Sequence, residues 1–500
     1  QTTRISFKFN GQKLFGYKGD TLASALLANN IHLVGRSFKY HRPRGIMTCG
    51  SEEPNAIVQI GNDPSLTDPN VRATEIELYE GLEASSQNCW PSVNFDIGGI
   101  NNFLSPLLPV GFYYKTFMWP ASFWEKYEYF IRHSAGLGKA PTKSDPDIYD
   151  HQYSHCDVLV VGGGISGIIS AKLSAEKGLD TFLIDDKNFL GGSTIYQENE
   201  AYKINDIYSN EWLAKEIKSL KNYPNLIIKN RTSLAAFHGY NYLLARENLT
   251  DHLSISDRKN KIRQRLWKIR AKKVIIASGS IERPLIFSNN DRPGIILSSS
   301  IKKYIDYYGV KTGENISLFT NNDSAYETAI SLNKSGVKVN VIVDIRKNSE
   351  SLIVKEALDL GLKVLWESTV VETQGYKKIK SFEVMKLSDD GNNVIGNKTK
   401  HNCDCLGISG GWTPMVHLFT QSGGKLKFRN EDNVFIPDQD KTPPNQISVG
   451  SCNGEFKLDV NEVSDGLWID PEKLDLWIEE NSRDFAWSFV YLWKRYRKHS

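Results

Sequence analysis

The stretch CDVLVVGGGISGIISAKLSAEKGLDTFLIDD, Cys156 to Asp186, constrains this chain more than any other. Val158 to Val161 are consecutive apolar residues, which reads as a strand buried on both faces of a parallel sheet. A glycine turn follows, then a crossover helix over Ile165 to Ala175, then a second apolar strand, Phe182 to Ile184, ending at Asp185. Gly162, Gly164 and Gly167 form GxGxxG. The first glycine permits the tight turn, the second lets backbone approach a pyrophosphate, and the third lets helix and strand pack closely. The phosphates then lie at the positive end of the helix. Asp185 falls about 20 residues beyond the turn, as a dinucleotide fingerprint requires. Its carboxylate is expected to accept hydrogen bonds from the adenosine ribose and to repel a 2′-phosphate. NAD or FAD is therefore favoured over NADP, and the motif does not choose between them. Asp186 can share the ribose role, and Gly191 to Ser193 form a second loop able to close over the nucleotide.

Two later segments repeat the theme. KKVIIASGS, Lys272 to Ser280, is a strand running into a small-residue turn, and Gly313 to Asp344 is another strand–turn–helix–strand unit. In that second unit Thr320 and Asn322 stand where glycines are needed, and both would crowd a pyrophosphate. It reads as a degenerate scaffold without nucleotide. With CLGISGGWTP at Cys405 and ISVGSCNG at Ile447, the order resembles the two-dinucleotide-domain flavoprotein reductases, in which the second domain is inserted into the first. The fold class expected is α/β, a Rossmann-like core of FAD/NAD reductase type. Its first domain spans 151–285 and 405–460, and the inserted domain spans 286–404. No CxxC pair lies between the two domains, which argues against a disulfide reductase.

The N-terminal part, residues 1–95, looks like a plant-type [2Fe–2S] ferredoxin domain, a β-grasp module, without its cluster. ISFKFNG gives a strand and turn, and GDTLASALLANN a capped helix with Asp20 near its start. The run GRSFKYHRPRGIMTCGSEEPNAIV, Gly35 to Val58, resembles the cluster loop. Such a loop needs C-x4-C-x2-C plus a distant fourth thiolate. Only Cys49 is present, with Ser51, Glu52, Glu53 and Asn55 where further ligands would fall. An aromatic connector at 96–150 and a helical tail at 461–500 complete the expected organisation.

That loop, together with FYYKTFMWP at Phe112 to Pro120, resembles the α subunits of heterotetrameric sarcosine oxidases over about residues 1–460. Their C-terminal folate-binding domain has no counterpart at 461–500. The resemblance implies NAD in the first dinucleotide site, FMN at the interface with a β-type flavoprotein subunit, FAD within that subunit, and smaller subunits in a hetero-oligomer. It implies cofactor contacts at Gly162, Gly164, Ser166, Gly167, Asp185, Asp186, Lys187, Ser193, Gly450 and Ser451. It also implies a share in oxidative demethylation of a small amine, sarcosine, with tetrahydrofolate and O2, and no catalytic residue in this chain. The alternatives are the α subunit of an opine, proline or dimethylglycine oxidoreductase complex, or a non-catalytic assembly subunit.

Arg36, Lys39, Arg42 and Arg44 cluster around aromatics, and Lys115 sits among aromatics in the connector. They are candidates for FMN or subunit contact. A net charge of +3 over 500 residues is too small to suggest a nucleic-acid binder. Six scattered cysteines suit a reducing compartment, and Cys403 and Cys405 read as alternate strand positions with no partner pair for a metal. No apolar run approaches the roughly 18 residues of a membrane span. A cytoplasmic location is expected.

Overall fold

A computed structural model describes residues 3–107, 119–134, 138–196, 203–204 and 207–456. The expected tail at 461–500 and Lys115 lie outside the described residues.

The N-terminal module is built on a five-stranded sheet. Its order is Gln12–Tyr17, Arg4–Phe9, Glu83–Ser86, Ile57–Ile60, Asp68–Arg72. The first two strands form a hairpin whose turn, Asn10-Gly11, has positive φ at both residues, the geometry that favours Asn-Gly. Alternation places Ile5, Phe7 and Phe9 inward against the helix Leu22–Ala28. Thr21, one residue after Asp20, caps that helix: its hydroxyl accepts from the Ser24 amide, and the Ser24 hydroxyl accepts from the Thr21 amide. Asp20 is buried and turns back instead, accepting from the Tyr17 amide and the Ser24 hydroxyl. The module's core is continuous with Tyr304 and Val310 of the inserted unit, and the Tyr304 hydroxyl donates to the Thr48 carbonyl at 2.7 Å.

The first nucleotide unit carries the parallel strands Leu226–Lys229, Thr181–Ile184, Ile148–Val161, Ile262–Ile276 and Gln446–Ser448. An antiparallel extension, Tyr242–Asn248 and Thr232–His238, continues the same sheet. The chain leaves this sheet after Ile276 and rejoins it at Gln446, so the second unit is an insertion. That unit has a five-stranded parallel sheet in the order Ile295–Leu297, Cys405–Ser409, Asn315–Thr320, Lys338–Asp344, Val364–Leu365. A three-stranded antiparallel sheet, Ser368–Gly375, Ile379–Leu387 and Val394–Asn402, lies beside it.

One boundary differs from expectation. Cys405–Ser409, expected to start the return to the first unit, is instead buried along its length between Ile295–Leu297 and Asn315–Thr320. The inserted unit therefore runs past residue 404. Its crossing back is marked by the small ribbon that pairs Trp412–Pro414 with Ser280–Glu282.

Candidate nucleotide site

The glycine turn has the geometry its spacing requires. Gly162 has φ +107°, and a Cβ there would run into the Ala277 carbonyl. A Cβ on Gly167 would fall on the carbonyl oxygen of Gly162, so only glycine lets the helix Ile165–Glu176 sit this close to its strand. Gly164 is the N-cap. It has ordinary extended backbone, no side chain to close the helix end, and only the Gly192 Cα, at 4.0 Å, near a Cβ built on it. The positive end of this helix therefore faces a space bounded by the Gly191–Ser193 loop, which the Gly191 amide fastens to the Gly163 carbonyl at 2.7 Å.

The other expected residues converge here. Ser166 abuts Gly450, and Ser451 approaches the Gly279 turn. Asp185 ends its strand and holds the turn: its carboxylate accepts from the Gly163 amide at 2.6 Å and the Lys187 amide at 2.8 Å. Lys187 pairs with Asp186 at 3.0 Å. The residues thus fit a dinucleotide pyrophosphate at the helix end, with two carboxylates, Asp185 and Asp186, at the end of the next strand.

Burial, followed by repulsion from Asp186, raises the Asp185 carboxyl from 3.8 to about 6. The folded chain holds this proton more tightly than the unfolded one, so ionising Asp185 costs stability as pH rises from 3.8 to about 6. The expected ribose contact has the opposite sign, because hydroxyls donate best to the ionised carboxylate. Affinity for ADP-ribose is expected to be flat above pH 7 and to fall up to about tenfold per unit below pH 6. Calorimetric titration at pH 5 to 8 checks this, and a flat profile would remove Asp185 from the ribose contact.

The second unit has closed the equivalent positions with its own side chains. Asn322 Oδ1 accepts from the Ser324 amide at 3.0 Å, filling the end of helix Ser324–Lys334. Thr320 Oγ1 is bonded to the backbone of Asn322. Asp344, at the end of the following strand, is fully buried and held by Arg346 at 2.7 Å and the Tyr326 hydroxyl at 2.8 Å.

The basic loop gathers elsewhere, at the seam between the N-terminal module and the inserted unit. Arg42 and Arg44 both pair with Asp291, and Arg42 also donates to Asn289. Arg36 is buried and donates to the Val93 carbonyl at 2.6 Å and the Tyr376 hydroxyl at 3.0 Å. Lys39 lies over the Tyr40 ring at 5.1 Å.

Sequence reasoning read Glu53 only as a residue standing in a ligand's place. Its carboxylate, 1% exposed, accepts from four backbone amides: Met47 and Thr48 on one oxygen, Asn55 and Ala56 on the other. The interior of the loop is thereby filled. With one cysteine, Cys49, the loop does not fit a two-iron cluster, and among the described residues no group of His, Cys, Asp or Glu is placed to hold a metal.

Comparison with known proteins agrees with this architecture. Residues 2–89 match the 2Fe-2S iron-sulfur cluster binding domain family, and residues 156–452 match the pyridine nucleotide-disulphide oxidoreductase family. Sarcosine oxidase subunit alpha of Rhizobium meliloti is 41% identical over 86% of this chain and 42% of its own length. The subunit alpha from Corynebacterium sp. strain U-96 is 31% identical over 90% of this chain and 41% of its own. The chain thus spans less than half the length of these homologues. The crystal structure of L-proline dehydrogenase from P. horikoshii shares the fold, with a TM-score of 0.58 at 19% identity, covering 90% of this chain and 69% of that one. With an intact glycine-turn unit, a second unit inserted into it and a match over 156–452, the chain belongs to the pyridine nucleotide-disulphide oxidoreductase family.

Proposed function

We propose that the chain is the α-type subunit of a sarcosine oxidase-like complex and binds NAD+ in its first nucleotide unit. The observation that carries the reading is the pairing of an open, uncapped helix end at Gly164 with Asp185, in a chain 41% identical to a sarcosine oxidase subunit alpha. In the proposed reaction sarcosine, tetrahydrofolate and O2 give glycine, 5,10-methylenetetrahydrofolate and H2O2. Flavins supply the redox chemistry: FAD in a β-type subunit and FMN at the interface with it. This chain's residues bind and orient. The amides at the start of helix Ile165–Glu176 take the pyrophosphate, Asp185 and Asp186 take the ribose, and Ser166, Ser193, Gly450 and Ser451 border the phosphates. The second unit, closed by Asn322 and Arg346, serves as scaffold.

The subunit-facing surface is proposed on the connector and the basic loop. Trp90, Phe95, Phe103, Trp119 and Phe130 are each more than two-thirds exposed. These side chains supply exposed aromatic surface on and beside the connector. Arg36, Arg42 and Arg44 fix the shape of the loop that carries Phe38 and Lys39 towards this surface. Among the described residues no helix is long and apolar enough to cross a membrane, and a cytoplasmic location is proposed.

The test is direct. The purified chain is expected to be colourless and to release about one equivalent of NAD+ on denaturation. A flavin spectrum from the chain alone would overturn the subunit assignment. Copurified partners assayed with sarcosine, dimethylglycine, proline and opines then fix the substrate, and preference for any of the last three would overturn sarcosine.

A further inference from the structure

We infer that Glu77, a residue of the N-terminal module, sets the selectivity of the first nucleotide unit against a 2′-phosphate. The inference rests on the dinucleotide reading of that unit. Glu77 reaches across the seam and grips Arg231 with both oxygens, Nε at 2.5 Å and Nη2 at 2.8 Å. The same carboxylate accepts from the Asn188 side chain at 2.9 Å. Asn188 and Arg231 lie on the two loops that leave strands Thr181–Ile184 and Leu226–Lys229, the loops that flank the ribose-binding acids. These loops are tied to each other, since the Arg231 amide donates to the Lys187 carbonyl and the Thr232 amide to the Asp185 carbonyl, both at 2.7 Å. Arg231 is held at φ +52°, a conformation that L-residues other than Asn and Asp adopt rarely.

Between the module and these loops lies a cavity of about 380 Å³. Ile76 and Glu77 line it from one side, and Asp186, Lys187, Arg231 and Ser233 from the other. The adenosine end of a dinucleotide whose ribose reaches Asp185 and Asp186 enters this space. Discrimination there depends on what a phosphate on the 2′-oxygen would meet. An arginine beside the ribose is the usual way to accept a 2′-phosphate, through paired N–H donors. Arg231 is in the right place, but its fork is occupied by Glu77, and Lys187 is occupied by Asp186. A carboxylate bound to the arginine also repels the incoming phosphate. The N-terminal module thereby acts on the nucleotide site by holding an arginine out of use.

The experiment titrates the full chain, freed of copurified nucleotide, with 5′-AMP and with 2′,5′-ADP, which differ only in the 2′-phosphate. The wild-type chain is expected to prefer 5′-AMP. Glu77→Gln removes the charge and keeps an acceptor for Asn188. It should move the affinity ratio about tenfold towards 2′,5′-ADP, the value of one released charge-assisted contact. Adding Arg231→Met to Glu77→Gln should return the ratio to that of the wild type. If Glu77 is only a staple between domains, Glu77→Gln weakens both ligands equally and the ratio stays fixed, which overturns the inference. A shifted ratio that survives in the double variant overturns it as well. Should Glu77→Gln fail to fold, Glu77→Asp, which withdraws the carboxylate by one methylene, must give a smaller shift in the same direction, and no shift counts against the inference. Binding of 5′-AMP with an unchanged ratio rejects Glu77 alone, whereas a wild-type chain that binds neither ligand rejects the dinucleotide reading.

Discussion

A Gly164→Val chain is expected to fold normally and to lose its dinucleotide. The two halves of that expectation have separate causes. Gly164 has φ −73° and ψ −176°, which any residue adopts, so a side chain introduces no backbone strain. A Cβ built there has only the Gly192 Cα near it, at 4.0 Å, so the Cβ itself displaces nothing. Exchanging glycine for a β-branched residue at an N-cap costs at most about 1 kcal/mol. The same branched side chain fills the space in front of the first amides of helix Ile165–Glu176, where the pyrophosphate is proposed to lie. Losing several charge-assisted contacts at a helix end should weaken binding by at least about a hundredfold. Chromatography of nucleotide released on denaturation, together with calorimetry using ADP-ribose, measures the loss. Gly167→Val supplies the contrast, since its side chain would collide with the Gly162 carbonyl and should prevent folding. Full nucleotide content in the Gly164→Val chain would move the site elsewhere.

The difference between these two glycines also shows what the sequence could reveal. Gly162, Gly164, Gly167 and Asp185 were legible because strand, turn, helix and strand act on one another over some thirty residues, and spacing alone fixes their geometry. The side chains that close the turn of the second unit were legible for the same reason, because Thr320 and Asn322 sit inside an equally local pattern. What escaped depends on partners far along the chain. Arg42 and Arg44 look like a free basic patch until Asp291 is brought beside them. Glu77 carries no signal at all without Arg231, which lies 154 residues later. Cys405–Ser409 is an apolar run that would suit the centre of either parallel sheet, and only pairing with Asn315–Thr320 assigns it to the inserted one. Glu53 was misleading in another way, because a glutamate turned inward reads the same as one in water.

Glu53 is where the largest loss of stability is expected. In a cluster-bearing loop the anionic centre is inorganic, and backbone amides converge on it. Here a carboxylate draws the amides of its own loop together. Four amides point at two oxygens, at 2.9 Å from Met47, 2.6 Å from Thr48, 2.8 Å from Asn55 and 2.9 Å from Ala56. Burial pushes the Glu53 carboxyl above its ordinary value, and the four amides act in the opposite sense. Glu53→Ala leaves four buried donors without an acceptor and should cost about 3–5 kcal/mol. The informative variant is Glu53→Gln, which is nearly isosteric. Its carbonyl can serve one pair of amides, but its NH2 group must face the other pair, donor against donor. Glutamine should therefore be about as damaging as alanine, which a role in mere space-filling does not predict. Urea unfolding gives the energy, and hydrogen exchange at Met47, Thr48, Asn55 and Ala56 localises it. Retention of wild-type stability and amide protection in Glu53→Gln would mean that the loop is held by its packing against Tyr304 and not by the buried charge.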